Sequence, residues 1–282
     1  MENEFNVTKP PAFGLIIKSE IFSMPIDFHD EKNKSTYATR SVAKEWMDFI
    51  EKQVDIKNKI VADIGCGGGI YSRAWAELGA KNVIGIDFSE HMVKTAREKS
   101  IDYPQTTFQQ GNAEKTGLAS SSIDLVFERA LIHHLVDYNN NFQEIHRVLS
   151  DKGYFIIQDR TMENVTLPGG EQHLRGFFFE CFPKLIDVEA KRRPTQKQVE
   201  TELQQNGFKL VSSQVFCETR RIYDNFSSLE QDISARTGRS ILHELDDNQI
   251  TFLVNTLRHH LSHLSPIIEQ DYWHIWVAQK NR

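Results

Sequence analysis

The stretch KIVADIGCGGG, Lys59 to Gly69, decides how the chain is read. A short apolar run with β-branched residues reaches Asp63 and then four glycines within five positions, Gly65, Gly67, Gly68 and Gly69. The pattern predicts a buried strand that turns sharply into a helix. Glycines at such a turn let a ligand approach the peptide N–H groups and the helix N-terminus closely, so the turn reads as a nucleotide cradle. Its echo, NVIGIDFS at Asn82 to Ser89, predicts a second strand ending in Asp87, 22 positions after Gly65. A carboxylate there can accept both hydroxyls of a ribose.

Working outward, Val42, Trp46, Phe49 and Ile50 recur at spacings of three and four, marking an amphipathic helix before the cradle. Ile70 to Leu78 is helical and stops at Gly79, a left-handed cap, and Ser89 caps a helix through Lys99. Further strands are expected at 106–109, 123–127, 154–158, 208–216 and 272–278, with helices at 141–149 and 195–206. Thr195 and Gln198 form a capping box, and Ser227 with Glu230 marks the start of a later helix. Alternating strands and helices imply a doubly wound α/β fold, a seven-stranded, mostly parallel sheet covered on both faces. The division expected is an N-terminal flap and helix (1–58), a core (59–160), and a C-terminal part (161–282) with insertions at about 161–194 and 218–270 forming a helical lid.

Charge and composition narrow the function. The net charge of −6 offers no basic field for nucleic acid or an anionic membrane, so a small diffusible substrate is expected. The acidic N-terminus, broken by Pro10, Pro11 and Gly14, is no signal peptide, and no apolar run approaches the roughly 18 residues of a membrane span. Cys66, Cys181 and Cys217 fit no zinc or redox spacing, which points to the cytoplasm. Monomer and homodimer are both compatible with this composition.

Two cofactor classes share the geometry of the cradle. A dinucleotide fingerprint counted from Gly65 needs glycine at position 70, where Ile70 stands. An acid two residues before Gly65 is unfavourable beside a pyrophosphate and suits a cofactor bearing an ammonium group. Asp63-Ile-Gly65-Cys-Gly67-Gly-Gly69 resembles the first motif of the class I S-adenosylmethionine-dependent methyltransferases, and the resemblance spans roughly residues 37–160. It implies an S-adenosylmethionine cofactor, yielding S-adenosylhomocysteine, and methyl transfer to a small-molecule acceptor. It also implies that Asp63, Gly65 and Gly67 hold the cofactor, that Asp87 takes the ribose, that Phe88 and Met92 flank the adenine, and that Asn112 and Ala113 read its edge. Asn112 stands where the family usually has Asp. Arg129 and the pair His133–His134 match the loop under the methionine part, and Tyr37 and Arg40 match a segment that closes over the cofactor carboxylate.

Other features have plainer readings. His133 and His134 are candidates for the catalytic base, with local packing as the even alternative. Glu128 is expected to pair with Arg129 or face a cation. Phe177, Phe178, Phe179 and Phe182 line an apolar pocket or, more simply, pack a lid. His259, His260 and His263 share a helix without a third ligand fixed by sequence, so no metal site is expected. Two rivals remain: a cofactor-binding protein without catalysis, and a nicotinamide-dependent oxidoreductase, which Ile70 disfavours.

Overall fold

The structure, a computed structural model, describes residues 42–281; Tyr37 and Arg40 lie outside the described residues. Helix α1 (Lys44–Gln53) leads into β1 (Ile60–Ile64), α2 (Ile70–Glu77), β2 (Asn82–Asp87), α3 (Glu90–Lys99) and β3 (Thr106–Gln110). Strand β4 (Ile123–Arg129) is followed by a 3-10 turn (Ile132–His134), α4 (Tyr138–Val148) and β5 (Leu149–Asp159). The seven strands lie in the order β3-β2-β1-β4-β5-β7-β6, where β6 is Phe208–Tyr223 and β7 is Ile267–Lys280. β7 runs antiparallel to both of its neighbours, while β1 to β5 pair in parallel. The order reverses between β1 and β4, so their carboxyl ends flank the crevice where ligands bind in such sheets.

Each face of the sheet is sealed by its own core. On one side Trp46 is fully buried, its ring edge-on to Tyr71, Trp75 and Phe127 at centroid distances of 4.9, 5.3 and 5.6 Å. Its indole N–H donates to Gln158 Oε1 at 2.8 Å, so α1 is pinned to β5 by packing and by one satisfied polar contact. On the other side Phe142, Ile145, Phe155, Val199 and Trp276 pack together. α8 (Gln196–Gln205) begins with the expected Thr195–Gln198 capping box, and Ser89 accepts from Met92 N at the start of α3.

The two helical insertions share a third core. Between β5 and α8 lie α5 (Met162–Val165), α6 (Leu174–Cys181) and α7 (Lys184–Ala190); between β6 and β7 lie α9 (Phe226–Ser234) and α10 (Asp247–Leu261). Phe177, Phe178 and Phe179 are buried in one cluster with Leu229, Ile233 and Leu253, so these phenylalanines pack the helical insertions against each other and are not among the residues lining the cavity at the glycine turn. Asn225, not Ser227, caps α9, accepting from Ser228 N at 3.1 Å.

The last two strands are longer than the pattern predicts, pairing from Phe208–Lys280 out to Tyr223–Ile267. The helical insertion therefore spans residues 224–266 rather than 218–270. Charged residues made the outer ribbon look like loop, yet they satisfy one another. Buried Arg239 donates to Asp232 at 2.7 Å and to Glu269 at 2.7 Å, and Arg220 donates to the same Glu269 at 2.6 Å, which fastens lid to ribbon. No helix among the described residues is long and apolar enough to cross a membrane.

Candidate active site

Gly65, Gly67 and Gly69 all adopt positive φ, at 73°, 51° and 75°. Gly65 N and Cys66 N both donate to Ile86 O, at 2.7 and 3.0 Å, so the turn is stitched to the end of β2. A Cβ on Gly69 would meet Ala96 and Phe108 at 3.1 Å, whereas one on Gly67 would meet nothing within 4 Å. Gly67 thus faces open space, and what demands a glycine there is its left-handed backbone and clearance for a ligand. Cys66 is packed with Val93, Ala96 and Phe108, a filler and not a reactive thiol.

Two acids close the turn. Asp87 is 7% exposed and accepts from Gly67 N and Ser89 N, both at 2.9 Å, so it shapes the cradle that it borders. Asp63 accepts from Ser72 Oγ at 2.5 Å. Burial raises Asp63 to about 7; the Ser72 hydrogen bond opposes this, and the Asp87 charge adds to it. A cation brought beside Asp63 would restore its charge. Phe88, Met92, Asn112 and Ala113 line the same cavity of about 780 Å³, large enough for a nucleoside cofactor with a small second ligand.

Across the crevice, His133 Nδ1 lies 2.9 and 2.8 Å from the two oxygens of Asp159. Asp159 also accepts from Arg160 N at 2.7 Å and from Arg193 Nη1 at 3.0 Å. Burial pushes this carboxyl up, but His133 and Arg193 outweigh burial and hold it well below the usual carboxylate range. An ionised Asp159 can only accept, so the ring proton sits on Nδ1 and Nε2 keeps a lone pair. Burial also lowers the His133 pKa, against the pull of Asp159, and the imidazole is neutral near pH 7. His134, its ring centroid 4.0 Å from that of His133, is driven to about 3, chiefly by burial and then by His133. Both histidines line the cavity.

Residues 62–157 match the family described as the methyltransferase domain. That match covers about a third of the chain, from β1 through β5, and agrees with the resemblance read from the glycine turn. A ubiquinone biosynthesis O-methyltransferase of Actinobacillus pleuropneumoniae serotype 7 (strain AP76) is 31% identical over 126 residues, 42% of this chain and 53% of that protein. A demethylmenaquinone methyltransferase of Lysinibacillus sphaericus (strain C3-41) is 26% identical over 175 residues, 61% of this chain and 73% of that protein. The chain spans about half the length of the O-methyltransferases it matches. Among solved structures, a phosphoethanolamine N-methyltransferase 2 of Haemonchus contortus, in complex with phosphomonomethylethanolamine and S-adenosylhomocysteine, superposes with a TM-score of 0.58 at 19% identity. That alignment covers 91% of this chain and 61% of that one. An S-adenosylmethionine-dependent methyltransferase of Mesorhizobium loti gives a TM-score of 0.53 at 20% identity, covering 84% and 98% of the two chains. At these identities the likeness is one of fold.

Beyond the methyltransferase motifs, the cavity has a wall that local sequence did not reveal: Arg160, Arg175, Arg193, Glu218, Asp271 and Trp273. Glu218 and Asp271 face each other across the β6–β7 pairing, a like-charge arrangement that costs stability unless each is neutralised. Each is: Arg129 Nη2 donates to Glu218 at 2.6 Å, and Arg160 Nη2 donates to Asp271 at 2.6 Å. Trp273 supports both arginines, with Arg129 4.0 Å and Arg160 3.6 Å from its ring centroid. Arg129 therefore stands at the cavity with its partner already supplied. Glu128 makes no ion pair among the described residues: it is buried, accepts from Asn141 at 2.9 Å, and is raised to about 8 by burial, with the Asn141 hydrogen bond opposing. His259, His260 and His263 are exposed, and no group of metal-ligating side chains occurs among the described residues.

Proposed function

We propose that the protein binds S-adenosylmethionine and transfers its methyl group to a small-molecule acceptor by in-line displacement. The observation that carries this reading is the glycine turn, with Asp63 and Asp87 opening onto the same cavity as His133. The residues fit that cofactor: Gly67 leaves clearance, Asp87 offers a carboxylate for ribose hydroxyls, and Asp63 is a buried acid in want of a cation. Met92 and Phe88 would flank the adenine, with Asn112 and Ala113 at its edge. When bound, the cofactor supplies an activated sulfonium methyl. The chain's own task is then to hold the acceptor in line, exclude water and, for a protonated nucleophile, accept its proton at His133 Nε2. The relatives named for quinone biosynthesis support a small-molecule acceptor.

Calorimetry with S-adenosylhomocysteine, with a nicotinamide dinucleotide as control, tests the cofactor. Binding of the dinucleotide alone would sink the reading. Release of S-adenosylhomocysteine from S-adenosylmethionine with panels of phenols, amines, thiols and carboxylic acids tests catalysis. Binding without release on any panel would favour a cofactor-binding role.

A further inference from the structure

The acceptor side of the cavity contains a buried cation that the protein leaves unsatisfied. Arg175, on α6, is 8% exposed and lines the cavity. Gly176 beside it lets α6 lie against the backbone of Leu167–Gly169, where any Cβ would collide, so the helix that carries Arg175 is held close to that segment. Among the described residues it makes no hydrogen bond. Its Nε is buried without a partner, and its ion-pair contact, with Asp271 Oδ1, is 3.6 Å long, beyond hydrogen-bonding reach.

The surrounding carboxylates are already claimed. Asp271 accepts from Arg160, Glu218 from Arg129 and Tyr71, Asp159 from His133 and Arg193, and Glu189 from Arg192 and Arg193. Arg160 in turn keeps a buried Nε without a partner. Burial lowers the pKa of Arg175, with Asp271 opposing, and burial takes Arg160 down to about 9, with Asp271 opposing and Arg175 adding to the fall. Three guanidiniums thus crowd Asp271, of which Arg220, 4.0 Å away, is already paired with Glu269, and the sharing left to Arg160 and Arg175 is costly until another anion arrives.

We propose that Arg175 and Arg160 form an oxyanion subsite for a carboxylate or phosphate group on the methyl acceptor, which is therefore an anionic small molecule. Guanidinium edges present paired N–H donors that match either group. A neutral acceptor would leave Arg175 as it stands now. The position separates this subsite from the cofactor. Arg160 follows the end of β5, two strands from β1 in the sheet, which at about 4.8 Å per strand is roughly 10 Å from the glycine turn. The inference rests on the S-adenosylmethionine reading above.

The test uses the full chain and separates the two claims. S-adenosylhomocysteine affinity is measured first by calorimetry; no binding would overturn the cofactor reading. On the S-adenosylhomocysteine-loaded protein, benzoate and phenyl phosphate are then compared with neutral benzamide. The expected result is that at least one anion binds about 10-fold or more tighter than benzamide, the scale of charge-assisted hydrogen bonds. Arg175→Met should erase that preference with S-adenosylhomocysteine affinity unchanged, and Arg175→Lys should retain part of it. Benzamide binding as well as the anions, or no anion binding, would overturn the subsite. Equal loss of S-adenosylhomocysteine affinity in Arg175→Met would assign the arginine to the cofactor carboxylate instead. Inorganic phosphate matching phenyl phosphate would overturn the acceptor assignment. Should Arg175→Met fail to fold, the comparison of anions with benzamide on the wild-type chain decides.

Discussion

The two ends of the cavity solve recognition by different means. At the carboxyl ends of β1 and β2, the wall is mostly backbone: left-handed glycines, open clearance over Gly67, and two acids tied to N–H and O–H donors. At the ends of β5 and β7 it is mostly side chain, a set of arginines and carboxylates gathered from β5, β6, β7 and the lid. A backbone wall has a fixed shape and accepts one kind of ligand. A side-chain wall can be re-set by single substitutions, whereas the shape of a backbone wall cannot.

Four experiments press on that contrast. The largest effect belongs to His133, between the two ends: His133→Asn should lower kcat by about 10²–10⁴-fold for an acceptor with a protonated nucleophile, with S-adenosylhomocysteine affinity retained. Full activity, read as S-adenosylhomocysteine formation, would reduce His133 to a packing residue. Next is Gly69→Val, which adds left-handed strain to a crowded site and should cost about 2–4 kcal/mol in urea unfolding. A neutral outcome would mean the turn is softer than its geometry implies. Asp87→Ala should weaken S-adenosylhomocysteine binding by about 1.5–3 kcal/mol, and an unchanged dissociation constant would refute its assignment to the ribose.

The smallest effect is a pH dependence set by Asp63. Its pKa in the cofactor-free fold is raised by burial to about 7, with Asp87 adding to the rise and Ser72 and Arg129 opposing it. Binding a cofactor ammonium needs the ionised form, so the site must release a proton below that pH. The dissociation constant should therefore rise by up to about 10-fold for each unit of pH below about 7 and level off above it. Folding stability without cofactor should move the other way, because protonation favours the buried acid: this contribution grows as pH falls from about 7 toward the ordinary carboxylate range. Asp63→Asn should flatten both profiles.

How much of this was legible in the sequence follows from the same contrast. The sheet, the glycine turn, Asp63, Asp87 and the caps at Ser89 and Thr195 depend on residues close together in the chain, and local patterns report them. The outer ribbon escapes local patterns because Glu218, Arg220, Glu269 and Asp271 read as solvated loop until their partners are known. Nothing in its sequence neighbourhood marks Arg175; it becomes notable only when Asp271, almost a hundred positions away, proves to be engaged by Arg160. The phenylalanines were visible but ambiguous, since lid packing and pocket lining ask for the same residue type.

The length of the β6–β7 pairing carries a consequence for the segment it frames. Tyr223 and Ile267 stand opposite each other at the far end of a continuous ladder, with the helical segment inserted between them. A different segment spliced at those two positions would leave every strand register and the glycine turn intact. The ribbon thus uncouples the length of the inserted segment from the register of the sheet, while Arg160 and Arg175, which lie outside that segment, keep their places at the cavity.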